Sequence, residues 1–223
     1  MLPSSTVENY LKALYQAEAN NLDKKMLVPM GQLAAAVRVA PGTATTMVKA
    51  LADSGLVDYE PYLGVRLSPA GNKLAALVLR RHRLIEQFLV EVIGMSWTDV
   101  HEDAEQLEHV VSDALIERMD AMLGHPSVDP HGDPIPTADG DIESHDYHSL
   151  LTCPLGKRVK VIRVADQEAS FLRFLEAQKL KPGQSIKVEA RDQVADCVQL
   201  RNGDERLVTI GTRAAEKLLI EVL

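Results

Sequence analysis

The period of the apolar positions changes several times along the chain. In "SSTVENYLKALYQAEA", Val7, Leu11, Leu14 and Tyr15 recur at helical intervals. Ser5 stands at capping-box spacing from Glu8, so a first helix is predicted over about 6–20. A polar connection, "NNLDKK", leads to a short Ala-rich helix in "MGQLAAAVRV". In "APGTATTMVKALADSGL", Pro41 marks a helix start, Met47, Val48 and Leu51 form its apolar body, and Gly55 is its stop. Two short β-rich runs follow in "VDYEPYLGVRLSPAG", around a turn at Leu63-Gly64. Ser68-Pro69 then supplies a cap and a first residue for the next helix.

Short helices followed by a hairpin give the order of a winged helix-turn-helix, with an all-α bundle carrying an incidental hairpin as the alternative. The recognition helix spans residues 41–52, opening at Pro41. Thr43, Thr45 and Thr46 are small polar positions suited to base edges or phosphates, although threonine is also an ordinary helix-start residue. Lys49 is a phosphate candidate, as are Tyr62 and Arg66 of the wing.

Two long helices are predicted next, at about 69–93 and 98–123. They carry more apolar surface than a small wing domain covers, which points to a homodimer interface or to packing within one chain. Residues 124–149 are rich in Pro, Gly and Asp and read as a loop. Beyond it the period becomes two, in "RVKVIRV", "SIKVEARD", "CVQLRN" and "LVTIG", with one helix around "EASFLRFLEAQKL". The predicted class is mostly α with a small β domain. Residues 1–71 form the DNA-binding domain, 72–143 a helical dimerisation and metal-binding domain, and 148–223 a small barrel.

Composition narrows the function. The 223 residues are 46% hydrophobic and 4% aromatic, as in globular proteins, and no apolar run reaches the ~18 residues of a membrane span. Cys153 and Cys197 read as free thiols, consistent with a cytoplasmic protein. The net charge of −8 argues against nucleic acid until its distribution is considered. Residues 1–83 carry ten Lys/Arg against six Asp/Glu, and "RRHR" at 80–83 contributes to that surplus. The expectation is a DNA-facing head on an acidic body.

The candidate chemistry lies in "HEDAEQLEHVVSDAL". On a helical wheel His101, Glu105, Glu108, His109 and Ser112 share one arc, beside a core-facing arc of Ala104, Leu107, Val111, Ala114 and Leu115. Glu102, Asp103 and Asp113 fall on the wet side. Two carboxylates and an imidazole bordering a core are simplest to satisfy with a divalent cation. His82 and Glu86, one turn apart on the preceding helix, either join them or form a surface ion pair. Asp129 and His131 in "HPSVDPHG" are further ligand candidates, while His145, Asp146 and His148 fit a solvated loop better. Phosphate loops, nucleophile elbows and zinc-spaced cysteine pairs are absent, so neither an enzyme nor a small-molecule substrate is expected.

The order of these motifs resembles the DtxR/MntR family of metal-dependent bacterial repressors. The carriers are "VAPGTATTMVKALADSGLVDYEPYLGVRLSPAG", "RRHRLIEQFL", "VHEDAEQLEHVVSD" and "HPSVDPHGDPIP". The resemblance implies an SH3-like C-terminal domain, a homodimer, and a palindromic double-stranded operator under repression. It also implies a manganese-branch site of Glu105, Glu108 and His109, with His82 joining it. A helix-1 residue completes that site in relatives as an aspartate; the matching position here is Asn9. His82, Glu86 and His101 match ancillary ligands, with Asp129 and His131 as the loop pair and Gln167 and Ser170 near the C-terminal contribution. An all-hard ligand set favours Mn²⁺, then Fe²⁺. The alternatives are a winged-helix regulator with vestigial metal sites, and a metal-storage protein or metalloenzyme.

Overall fold

The computed structural model describes residues 4–19, 26–142 and 147–223. The "NNLDKK" connection, His145 and Asp146 lie outside them. The chain divides into two compact units, Met1–His82 with Pro136–Ile142, and Arg83–Ile135 with Glu143–Leu223.

In the first unit, helices α1 (Ser5–Ala19), α2 (Met30–Ala36) and α3 (Pro41–Asp53) precede strands β1 (Val57–Glu60) and β2 (Gly64–Leu67). The apolar stripe of α1 buries Leu11 and Leu14 completely against Leu33, Val48 and Val65, so the predicted periodicity is the packing face. Burying each such leucine is worth roughly 1.5–3 kcal/mol. The α1 start differs by one residue: the Glu8 N–H reaches the Ser4 carbonyl, and Glu8 itself is buried rather than capping a solvated end. Glu18 accepts the Leu67 N–H at 2.6 Å and so ties α1 to the base of the hairpin.

The wing turn falls at residues 61–63, with Tyr62 in the left-handed region (φ 68°), and Gly64 begins β2 opposite Glu60. Ser68 performs the predicted cap: its hydroxyl accepts the Gly71 N–H and donates to the Gly55 carbonyl at 2.7 Å. A Cβ on Gly71 would lie 1.9 Å from the Leu56 carbonyl oxygen, so only glycine allows this approach.

Helix α4 spans Pro69–Phe88 and passes into a five-residue π-helical turn, Leu89–Ile93, which Gly94 ends at φ 81°. The second long helix expected from the sequence is broken. Helix α5 (Val100–Leu107) and helix α6 (Asp113–Met122) flank a turn, because Ser112 caps α6 by accepting the Leu115 N–H at 3.3 Å. The break shifts the phase of the wheel, and Ala114 and Leu115 are exposed rather than core-facing.

The C-terminal part is a six-stranded antiparallel sheet in the order β3-β8-β4-β5-β6-β7. Its strands are β3 (His148–Ser149), β4 (Arg158–Val164), β5 (Ser185–Asp192), β6 (Cys197–Arg201), β7 (Leu207–Gly211) and β8 (Leu218–Val222). Helices α7 (Ala169–Ala177) and α8 (Thr212–Glu216) accompany it. Strand β8 and α8 escaped the sequence reading, since "LLIEV" alternates too briefly to be told from a chain end. Trp97 plugs into the core of this sheet and donates Nε1–H to Glu176 at 3.0 Å. No helix among the described residues is long and apolar enough to cross a membrane.

Candidate metal centre and DNA-reading face

The second unit carries a linked run of imidazoles and carboxylates. His101 lies between two acids, with Nδ1 3.1 Å from Glu86 Oε1 and Nε2 3.6 Å from Glu105 Oε1. The other Glu86 oxygen faces His131 Nδ1 at 3.7 Å, and that nitrogen is 3.9 Å from Asp129 Oδ1. Glu86, Asp129 and His131 are buried, and each offers a ligand atom within 4.8 Å of the others.

The loop after α6 holds two of the three in place. Asp129 Oδ1 accepts the backbone N–H of His131 at 2.8 Å and of Asp133 at 2.9 Å, an Asx-type turn. Gly132 adopts φ 86°, and a Cβ there would lie 2.0 Å from the Ile162 carbonyl oxygen of β4. The Val164 N–H donates to the His131 carbonyl at 2.8 Å. Asp133 fixes the loop to the sheet by pairing with Arg163 at 2.5 Å and accepting Gln167 Nε2–H at 2.6 Å. Gln167, where the C-terminal contribution was expected, thus acts through Asp133, while the Ser170 hydroxyl donates to Glu168.

Within the cluster, His131 Nε2 lies 2.9 Å from the Trp97 carbonyl, an acceptor only, so Nε2 carries the proton and Nδ1 presents the lone pair. Neither His131 Nδ1 nor Asp129 Oδ2 has a hydrogen-bond partner, and both are buried. Complete burial, then the Asp133 and Glu86 carboxylates, push the Asp129 carboxyl up to about 7, against partial relief from His131 and Arg83. Burial alone would lower the His131 pKa, but Glu86, Asp129 and the Trp97 carbonyl raise it. A buried group of acids that gathers protons also suits a small hard cation, and its oxygen and nitrogen donors fit Mn²⁺ or Fe²⁺.

Glu105, Glu108 and His109 occupy the end of α5 and the turn after it. Glu108 is buried, His109 Nε2 is 3.6 Å from its Oε1, and Glu105 is partly exposed. Glu102, Asp103 and Asp113 are exposed, as expected. In the first unit Asn9 is exposed on α1, whereas Glu8 and Lys12 are buried. His82, one turn before Glu86 on α4, is buried with Nδ1 3.2 Å from Lys12 Nζ.

The helix expected to read DNA is present as α3. Pro41 is its first residue, and Pro41, Thr43, Thr46 and Lys49 are exposed, with Thr45 half-buried. The Thr45 and Thr46 hydroxyls donate to the Pro41 and Gly42 carbonyls at 2.8 and 3.0 Å, so they are held along the helix. Arg66 is exposed on the wing and pairs with Asp58 across the hairpin at 3.1 Å. The "RRHR" segment departs from expectation. Arg80, Arg81 and His82 are buried, Arg80 donates to the Pro136 carbonyl, and Arg83 donates to the Pro134 carbonyl and faces Asp129 and Asp133. Arg80 and Arg83 brace the loop, and much of the basic surplus counted toward DNA is internal.

Sequence reasoning missed Asp133, Arg83 and the Trp97 carbonyl, although "HPSVDPHGDPIP" carries Asp133 in plain view. The missing signal was the loop conformation, which decides which acid turns inward.

Three family models match the chain. They are the iron-dependent repressor N-terminal DNA-binding domain over residues 3–65, the iron-dependent repressor metal-binding and dimerisation domain over 68–137, and the FeoA domain over 148–222. The diphtheria toxin repressor of Corynebacterium efficiens is 33% identical over 162 residues, 70% of this chain and 68% of that protein. An HTH-type transcriptional regulator of Methanocaldococcus jannaschii is 36% identical over 52% of this chain and 90% of its own length. Among solved structures, a manganese-dependent transcriptional repressor in complex with manganese superposes with a TM-score of 0.87. It is 36% identical and covers 97% of this chain and 100% of that one. ScaR with bound Zn²⁺ gives 0.78 at 30% identity, covering 99% of this chain and 100% of that one. From the winged head to the C-terminal sheet, the chain belongs to the DtxR/MntR family of metal-dependent transcriptional repressors.

Proposed function

We propose that the chain is a homodimeric, metal-activated transcriptional regulator that binds a palindromic double-stranded operator and represses metal-uptake genes, with Mn²⁺ as its ion and Fe²⁺ second. The observation that carries this reading is the buried Glu86–Asp129–His131 group, in which the Trp97 carbonyl presents the free face of His131 Nδ1 to two carboxylates. Its relatives are repressors and regulators, not enzymes.

A bound divalent ion supplies the positive charge that those acids otherwise draw from protons. The residues do the rest. Glu86 presents its carboxylate from α4, which begins immediately after the wing at Pro69. Asp129 and His131 present theirs from a loop that Asp133 anchors to β4. Glu86, Asp129 and His131 would hold the ion, and the charge it supplies would fix α4 and the loop in one arrangement and favour the state in which paired recognition helices match the operator. Glu105, Glu108 and His109 form the other proposed ligand set, with His101 between the two; Asn9, exposed on α1, is left out. An ion that favours the binding state by about 3 kcal/mol raises DNA affinity on the order of 100-fold.

The test is fluorescence anisotropy on DNA from upstream of the protein's own gene, titrated with Mn²⁺, Fe²⁺ and Zn²⁺ against a chelator control. Affinity that ignores metal overturns the proposal.

A further inference from the structure

Lys12 is an unexpected neighbour for a ligand histidine. Lys12 is 5% exposed and His82 3%, and the ammonium approaches His82 Nδ1 to 3.2 Å. Lysine stems normally lie along apolar surface while the charge reaches water; here the charge itself is held inside. An ammonium offers only protons, so Nδ1 is the acceptor and its lone pair is already engaged. The arrangement is built from α1: Glu8, one turn earlier, is buried as well, and glutamate four residues before lysine is the favourable order on a helix. The lysine thus sits on the buried side of the helix from which the family resemblance expects an acidic ligand, while Asn9 lies on the exposed side.

We infer that Lys12 is a tethered competitor for metal at His82. In the metal-free chain its ammonium takes the Nδ1 position that a cation would use, and an ion engages His82 there only when Lys12 is turned out. An ammonium retained beside the ion would instead repel it at short range in a poorly screened site. His82 therefore binds metal more weakly than its burial and donor chemistry alone would allow, and the α1–α4 contact is already closed by a cation before any ion arrives. This inference rests on the metal-activated reading above but concerns a residue outside the Glu86–Asp129–His131 group.

The test counts bound Mn²⁺ directly, from the loss of the free-ion EPR signal, on the full chain. A D129A/H131A background removes the loop ligands. In that background K12Q and K12M should each tighten the remaining Mn²⁺ binding at least about tenfold, since the buried like charge is gone. K12R, which keeps the charge, should match the parent. Adding H82F to K12Q should abolish the gain. Equal affinities for K12Q, K12M and the parent overturn the inference, as does a gain that survives H82F. Thermal melts of each variant confirm folding, and the two neutral substitutions guard against one that fails to fold. If the unsubstituted chain and every variant leave the Mn²⁺ signal unchanged, the metal-activated reading falls and this inference falls with it. If the unsubstituted chain binds Mn²⁺ through Asp129 and His131 but K12Q gains nothing, only the inference fails.

Discussion

His131 Nε2 lies 2.9 Å from the backbone carbonyl of Trp97, which fixes a proton on that nitrogen and aims Nδ1 at Glu86 and Asp129. A main-chain acceptor cannot be lost by mutation of its own side chain, so the orientation of this imidazole is built into the path of the chain before α5. The H131A substitution should lower Mn²⁺ affinity at least about tenfold, the scale on which ligand and supporting groups act in metal sites. Isothermal titration with Mn²⁺ checks this, with H148A, at the exposed His148 of β3, as the unchanged control.

Asp129 gives the metal-free protein a specific pH dependence. Its carboxyl has a folded-state pKa of about 7 against the ordinary 3.8. The folded state therefore holds this proton more tightly than the unfolded chain does. The resulting stabilisation is fully present below pH about 4 and is lost as pH rises through about 7. D129N should remove that dependence. Thermal melts in chelator from pH 4 to 8 should show wild type losing stability relative to D129N as pH increases. Parallel curves would contradict the assignment.

Gly132 sets the closeness of the Asp129–His131 loop to β4. In G132A the methyl would meet the Ile162 carbonyl oxygen at 2.0 Å and strain a backbone already at φ 86°. The expected cost is about 2 kcal/mol or more, and it is read as a lower denaturation midpoint together with weaker Mn²⁺ binding.

The Ser112 cap separates α5 from α6. S112A should destabilise the fold by about 1 kcal/mol, measured by urea denaturation, by removing the acceptor of the Leu115 N–H.

On the wing, Arg66 is restrained by Asp58. R66A should weaken DNA binding across sequences and reduce the salt slope of the affinity by about 1. D58A, which releases the same guanidinium, should move affinity the other way in the anisotropy assay.

Much of the architecture was legible because it rests on periodicity. The α1 stripe of Leu11 and Leu14, the Pro41 start and Gly55 stop of α3, the Ser68 cap and the alternating strands β4 to β7 each follow a local rule. What local rules do not reveal is which polar groups long-range packing buries. Arg80, Arg81 and His82 looked like a basic patch and are internal, and Lys12 of α1 is internal too. The wheel drawn through Ser112 failed for the opposite reason, because a local cap interrupts an apolar pattern that itself continues. The candidate loop residues Asp129 and His131 were legible as residue types, but their convergence with Glu86 depends on the Asx-type turn and on Gly132, which spacing does not encode.

The break between α5 and α6 seats the two proposed ligand groups on different kinds of structure. Asp129 and His131 sit in a loop pinned by backbone hydrogen bonds, by Asp133 and by the close seat of Gly132 on β4. Glu108 and His109 sit at the end of one short helix, ahead of the Ser112 cap of the next. A rigid cage discriminates ions by radius and coordination angle; a pliant one accepts whatever charge arrives and adjusts its own outline. On the proposed metal-activated reading the pinned loop is the gauge, and discrimination between manganese and its neighbours would fall to it.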